Sequence, residues 1–319
     1  MRIASIDIGS NTLRLLVAET TQGGALKEIA RSRRITRLGG GFTEETGLKE
    51  DAIERTIEAL KEFKEIADRN GAECILTVAT SVVRRAKNRE LFLERVKEEI
   101  AIDVKVIDGT EEARLSVEGV LSVIETDKED TLVVDIGGGS TEFVYCRGSK
   151  ILKAKSVENM GVVHLTEGFI KEDPPAREEL ERLEKRVDEF VRMVKEAIRD
   201  VFRAGECELC GTAGTVTTLA SIDQSLDTYE PELINNYILT YDNVKAIYQR
   251  LSLLTLEERK SILSLEKGRE DLIIPGAAIV LACMEGFGIY TMRVSDAGLL
   301  EGIIIDALKK ESYRKGGVG

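Results

Sequence analysis

The chain has 319 residues, with 45 Lys and Arg against 57 Asp and Glu, a net charge of −12. That balance excludes a general nucleic-acid coat and a protein that lies on an anionic membrane, since both need a basic footprint. Hydrophobic residues at 43% and charged residues at 32% describe a globular chain with a core, and an aromatic content of 5% without Trp leaves little for base- or sugar-stacking platforms.

Residues 3–8 read as a strand, Gly9-Ser10-Asn11-Thr12 as a turn, and residues 13–17 as a second strand. Asp7 and Arg14 interrupt any apolar leader, so this start is not a signal peptide. Ile53, Ile57, Leu60, Phe63 and Ala67 recur at three- and four-residue steps and predict a helix over 50–69, ended by Asn70-Gly71. Strands follow over 74–78 and 104–107, with helices over 91–100 and 111–124. Residues 132–136 make a strand, Gly137-Gly138-Gly139 a turn, and Ser140-Thr141 open the next strand. Pro174-Pro175 precede a long helix over about 178–202. A third glycine turn is expected at Gly211-Thr212-Ala213-Gly214-Thr215, then a strand and turn at 294–298 and a last helix over 299–310. The longest uncharged apolar run, 272–284, is too short to span a bilayer. Alternation of strands and helices makes the class α/β.

Asp7-Ile8-Gly9-Ser10 and Asp135-Ile136-Gly137-Gly138 stand at the same point of the same strand–turn–strand pattern, 128 residues apart. Two related domains are the simple reading, divided into residues 1–124 and 125–319. Glycine lets backbone N–H groups converge on one anion. The hydroxyls of Ser10, Thr12, Ser140 and Thr141 add donors for phosphate oxygens. An Asp at each strand end cannot hold phosphate directly, but it can hold a hard cation that bridges to it, or orient a water. Candidate counter-charges are Arg14, Arg84 with Arg85, and Arg269, each of which also reads as an ordinary salt-bridged arginine.

Gly109-Thr110-Glu111-Glu112-Ala113-Arg114 starts a helix after a strand. Its plain reading is a cap, with Thr110 as N-cap and acidic residues in the first turn. The sharper one makes a carboxylate the base for a water. One histidine in the chain, His164, excludes a multi-histidine zinc site. Cys207 and Cys210 form a lone CxxC, read as small buried residues at a strand rather than a metal or redox site, and the cysteine usage fits a reducing cytoplasm.

The segments IDIGSNTLRLLVAE (6–19), ATSVVRRAKN (79–88), GTEEARL (109–115), VVDIGGGSTEF (133–143), MGVVHLTE (160–167), CGTAGTVTTLA (210–220) and VSDAGLLEG (294–302) closely resemble the exopolyphosphatase/guanosine pentaphosphate phosphohydrolase (Ppx/GppA) family, over nearly the whole chain. The resemblance implies two related domains of the actin-like (ribonuclease H-like) ATPase fold flanking an interdomain cleft, the last helix packing back on the first domain. It implies Glu112 as the base that activates water, in preference to Glu111, with Glu142 a second acidic contributor. Asp135, with Asp7 or Glu142, would hold Mg²⁺, with or without a monovalent cation. Phosphate contacts would come from Gly9, Ser10, Asn11, Thr12, Arg14, Arg84, Gly137, Gly138, Gly139, Ser140, Thr141, Gly211, Gly214, Thr215 and Arg269. The implied substrate is inorganic polyphosphate or guanosine pentaphosphate. A homodimer is among the assemblies the family allows, and neither DNA nor a membrane is an expected partner. A kinase or ATPase of the same fold and a non-catalytic polyphosphate or alarmone sensor are the further readings. Two positions depart from relatives: His164 and Leu300 stand where arginine is common.

Overall fold

The computed structural model of the chain describes residues 1–20, 26–265 and 267–316, with side chains as far as Lys310. It divides into two compact units, one of Met1–Gly119 with Gly298–Gly319 and one of Val120–Ala297.

The first unit begins with an antiparallel hairpin, β1 (Arg2–Ile8) and β2 (Thr12–Thr20), onto which β3 (Leu26–Ile35) adds. Helix α1 (Glu50–Arg69) leads to β4 (Cys74–Ala79), which lies parallel to β1. Short α2 (Ser81–Arg85) and α3 (Arg89–Ile100) lead to β5 (Val104–Val106), parallel to β4, and then α4 (Gly109–Leu121). The sheet order is β3-β2-β1-β4-β5. Side chains alternate across the pleat, so Ala4, Ile6, Ile8, Leu13, Leu15 and Val17 share one face and pack with Ile53, Ile57, Leu60 and Phe63 of α1. The other face carries Ile3, Ser5 and Asp7 on β1, with Arg14 and Leu16 opposite on β2.

The second unit repeats the plan. β6 (Asp130–Ile136) and β7 (Ser140–Arg147) form a hairpin, extended by β8 (Lys150–Glu158). Helices α5 (Val162–Phe169) and α6 (Arg177–Ile198) precede β9 (Cys207–Thr212), parallel to β6. Then come α7 (Ala213–Asp223), α8 (Pro231–Ile234), β10 (Ile238–Thr240), α9 (Tyr241–Ser252), α10 (Leu256–Lys260), α11 (Ile273–Phe287) and β11 (Thr291–Val294). The order β10-β11-β9-β6-β7-β8, read from its far end, begins with the same antiparallel triplet and the same parallel strand as the first sheet. The apolar run at 272–284 is α11, buried among α6, α7 and α9. Among the described residues no helix is long and apolar enough to cross a membrane.

The last helix, α12 (Leu299–Gly316), belongs to the first unit. Its Leu300 and Ile304 cover Ile3, Leu16 and Ala18 on the second face of that sheet. It also meets α4 backbone to backbone. A Cβ on Gly119 would lie 1.9 Å from the Gly298 carbonyl oxygen, and one on Gly302 would lie 1.7 Å from that of Leu115. Leu300 is therefore a core residue here: an arginine would have to drag its charge out of an apolar cluster.

Candidate functional site

In the first unit the turn after β1 is closed by the Gly9 N–H, which donates to the Thr12 carbonyl at 3.2 Å. A Cβ on Gly9 would sit 2.9 Å from that oxygen, so the turn requires glycine. The Ser10 carbonyl accepts from Gly39 N–H and the Asn11 carbonyl from Thr36 and Arg37 N–H, which fixes the peptide planes of the turn. Ser10, Asn11 and Thr12 are buried. Asp7, 3% exposed, faces Arg14 in register, and the guanidinium donates from Nε and Nη2 to Oδ2 at 2.9 and 2.6 Å. Its other oxygen, Oδ1, is buried and has no hydrogen-bond partner.

The second turn is built the same way. Gly137 N–H donates to the Ser140 carbonyl at 3.0 Å. The carbonyls of Gly137, Gly138 and Gly139 accept from the N–H groups of Val162, of Val163 and His164, and of Asn159. This docking is why Gly161 is glycine: a Cβ there would fall 2.3 Å from Gly138. Asp135 faces Glu142 in register on adjacent strands, both nearly buried, and the Ser156 hydroxyl donates to Glu142 Oε1 at 2.7 Å. Two like charges directly opposite repel. A hard cation relieves that repulsion, and Mg²⁺ suits the donors, because it takes one or two protein carboxylates and completes its shell with water and phosphate oxygens. Among the described residues no group of three or more His, Cys, Asp or Glu is placed to hold a metal ion.

Registering the two hairpins on each other pairs Asp7 with Asp135, Thr12 with Ser140, Leu13 with Thr141 and Arg14 with Glu142. This corrects one expectation. Thr141 occupies the core-facing place held by Leu13 in the first unit, and its hydroxyl donates to the Met160 carbonyl at 2.6 Å. Its proton is spent inside the fold and is not offered to phosphate.

The third glycine segment is a strand–helix junction rather than a hairpin turn. Gly211 lies in β9, where a Cβ would be 2.4 Å from Met292 Sδ and 2.9 Å from a Val216 methyl, and its carbonyl accepts from Ser295 N–H. This packing by itself requires a glycine at the position. Thr215 is turned against Gly276 of α11, whose own Cβ would be 2.4 Å from the Thr215 methyl. Gly214 is different. A Cβ there would collide with the Arg269 guanidinium at 2.0 Å, so Arg269 lies directly over the first turn of α7. A cation at the positive end of a helix is unfavourable unless an anion sits with it. Ala213 leads into this turn with φ +69°, a strained value for a residue with a side chain.

Two adjacent glutamates at the start of α4 have different surroundings. The Arg114 guanidinium, joined by Lys105, holds the Glu111 carboxyl below the usual glutamate range. Glu112, 8% exposed, instead meets Arg84 of α2, whose Nη1 donates to Oε2 at 3.0 Å and to the Ile107 carbonyl at 2.9 Å. The helix cap is Asp108, whose Oδ1 accepts from Thr110 and Glu111 N–H at 2.9 and 2.8 Å. Asp108 rather than Thr110 is thus the capping residue, and Glu111 and Glu112 stand in the first turn of the helix. Cys207 and Cys210 are buried in β9, and burial pushes the Cys207 thiol up to about 12.

The first unit thus gathers Asp7, Gly9 to Thr12 and Arg14 at one strand end, and Arg84 with Glu112 as an ion pair. The second gathers Asp135, Gly137 to Ser140 and Glu142, with Arg269 over Gly214. Gly39, Gly161 and Asp108 hold these pieces in place and were not singled out from sequence. The glycine-rich run after β3 and the glycine in MGVVHLTE were the available signals.

A model described as the Ppx/GppA phosphatase family matches residues 16–311. The chain is 33% identical over 320 residues to Exopolyphosphatase 2 of Mycobacterium tuberculosis, covering 95% of this chain and 98% of that protein. It is 35% identical over 318 residues to a bifunctional 3-dehydroquinate synthase/phosphatase of Fusobacterium nucleatum, covering 97% of this chain but spanning 47% of that protein. Among solved structures, an Aquifex aeolicus Ppx/GppA family member is 38% identical with a TM-score of 0.82, covering 98% of both chains. An exopolyphosphatase of Cytophaga hutchinsonii is 28% identical with a TM-score of 0.89, covering 97% and 98%.

Proposed function

The chain belongs to the Ppx/GppA phosphatase family, and from that premise we propose that it is a phosphoanhydride hydrolase that releases terminal orthophosphate from inorganic polyphosphate. The observation that carries this reading is the buried Asp135–Glu142 pair beside a glycine turn, an arrangement that gains from a cation bridged to phosphate.

Each unit carries groups suited to this chemistry. In the first, Glu112 takes a proton from water as the water oxygen bonds to the terminal phosphorus, while Arg84 holds that carboxylate in place. The turn amides, Ser10 and Thr12, and Arg14 bind phosphoryl oxygens. In the second, Asp135 and Glu142 would hold Mg²⁺, which when bound supplies positive charge to the phosphoryl oxygens. Gly137 to Ser140, and Arg269 with the first turn of α7, contribute further anion contacts. The bridging oxygen leaves with the shortened chain as its bond to the terminal phosphorus breaks. Such transfer asks mainly for positioning and charge stabilisation, so a site without histidine suffices. Five free thiols suit a reducing cytoplasm.

The test is phosphate release from tripolyphosphate, long-chain polyphosphate and guanosine pentaphosphate, with and without Mg²⁺. Glu112→Gln is expected to bind polyphosphate and turn over about 10²–10⁴-fold more slowly. Wild-type turnover in that variant removes Glu112 from the chemistry. Preference for the pentaphosphate over every polyphosphate moves the assignment to the nucleotide.

A further inference from the structure

Among the described residues only two basic side chains are buried, Arg259 and Arg269, and both lie on the stretch of the second unit from α10 to the start of α11. Arg269 lies over the first turn of α7, whereas Arg259, on α10 and 3% exposed, stands outside the site described above. Its Nη2 donates to Asp173 Oδ1 at 3.1 Å. The same carboxylate accepts the Leu256 N–H at the start of α10, at 2.8 and 3.0 Å from its two oxygens. Asp173 stands in the loop between α5 and α6, where the buried Glu179 carboxylate accepts the N–H groups of Lys171, Glu172 and Ala176. Burial pushes the Arg259 guanidinium below its ordinary value, and the charges of Asp173, Asp271 and Glu270 oppose that shift. Glu270 and Asp271 directly follow Arg269 in the chain. Glu270 Oε2 accepts the Gly268 N–H at 2.7 Å, and the Asp271 carbonyl accepts from the Thr166 hydroxyl at 3.2 Å.

A buried charge costs stability unless it is paired, and a buried ion pair is often no more stable than apolar side chains of the same volume. Stability alone therefore does not call for an arginine at position 259. Asp173 does not require one either, since it is half exposed and already accepts the first N–H of α10. What the guanidinium adds is direction. It is fixed to the α5–α6 loop through Asp173, and its charge attracts the Glu270–Asp271 corner that carries Arg269. We infer that Arg259 is a positioning residue: through that corner it holds Arg269 over the first turn of α7, the place from which Arg269 binds a phosphoryl oxygen of the substrate. The inference rests on the hydrolase reading above and adds the group that fixes one of its anion contacts.

Arg259→Met, Asp173→Asn and Arg269→Gln, alone and combined, test this. Arg259→Met is expected to raise KM for long-chain polyphosphate about tenfold while kcat stays within about twofold. Tripolyphosphate binding, measured by calorimetry on the full chain, should weaken by a similar factor. Asp173→Asn keeps an acceptor for the Leu256 N–H and should raise KM about threefold. When Arg259→Met or Asp173→Asn is combined with Arg269→Gln, the losses should not multiply, and binding should be no weaker than in Arg269→Gln alone. Losses that multiply overturn the inference, because Arg259 would then act independently of Arg269. So does unchanged KM and binding in Arg259→Met, or in Asp173→Asn if the Met variant does not fold. A fall in kcat at constant KM also overturns it. Unchanged binding in Arg269→Gln overturns it as well and leaves the hydrolase reading standing. Losses of tripolyphosphate binding that do not multiply, when the wild-type protein cleaves none of the substrates, would sustain the positioning role and sink the hydrolase reading.

Discussion

In the β1–β2 hairpin an aspartate meets an arginine across the strands; in the β6–β7 hairpin the equivalent aspartate meets a glutamate. Both hairpins close on a glycine whose N–H donates three residues ahead, and both have their turn carbonyls pinned by a neighbouring segment, a loop in the first and largely the start of α5 in the second. The backbone was copied and the charge was not. Asp7 is in register with an arginine that binds it, and Asp135 is in register with a second carboxylate. By elementary electrostatics the first hairpin suits an anion held by Arg14, and the second suits a cation.

The largest test of that contrast is Glu142→Gln. Losing a carboxylate that holds the metal is expected to cost on the order of a thousandfold in Mg²⁺-dependent turnover. The same change removes a like-charge pair, so the metal-free protein should melt at a higher temperature than wild type. A lower melting temperature would mean that the Ser156 hydrogen bond outweighs the repulsion, and the contrast would fail.

A smaller effect is expected from Arg14→Gln in the other hairpin. It strands Asp7 without its partner and should cost about 2 kcal/mol in denaturant unfolding, below the 3–5 kcal/mol of fully buried pairs because Arg14 is part-exposed. No loss of stability would show that Asp7 does not depend on Arg14, and would make the two hairpins alike.

The smallest effect comes from the far end of the second hairpin, where Asp130 faces Arg147 in register. The Arg147 guanidinium, with help from the Tyr145 hydroxyl, holds the Asp130 carboxyl below the usual range. A carboxyl lowered by folding adds stability that is complete above the ordinary aspartate range near ~3.9 and is lost as pH falls through the lowered folded-state value. Asp130→Asn should therefore lower the melting temperature at pH 7, and the difference should shrink as pH falls below the ordinary aspartate range, with turnover at neutral pH unchanged. A gap between the melting curves that does not depend on pH would show that charge at this end is not what matters.

The duplication was legible in the sequence because a strand, an aspartate and a glycine turn recur in one order, and order is what a sequence records. Glu112 and Arg84 were nameable by resemblance, yet their ion pair depends on α2 and α4 meeting, which no local pattern states. Thr141 was misread because strand register, not the chemistry of the side chain, decides which hydroxyls face outward. At Gly211 the sequence could not show the packing need, because a glycine forced by a methionine sulfur and a valine methyl looks, in one dimension, like a glycine freed for a ligand.

Helix α12 completes a sheet whose first strand is made some three hundred residues earlier. Ile3, Leu16 and Ala18 therefore have only Leu26 and Leu76 beside them during synthesis until Leu300 and Ile304 have left the ribosome. The second unit, 120–297, is continuous in the chain and can close before the first. A nascent chain should keep a greasy strip on the β1–β2 hairpin until α12 has been made, which makes that hairpin a natural client of a chaperone.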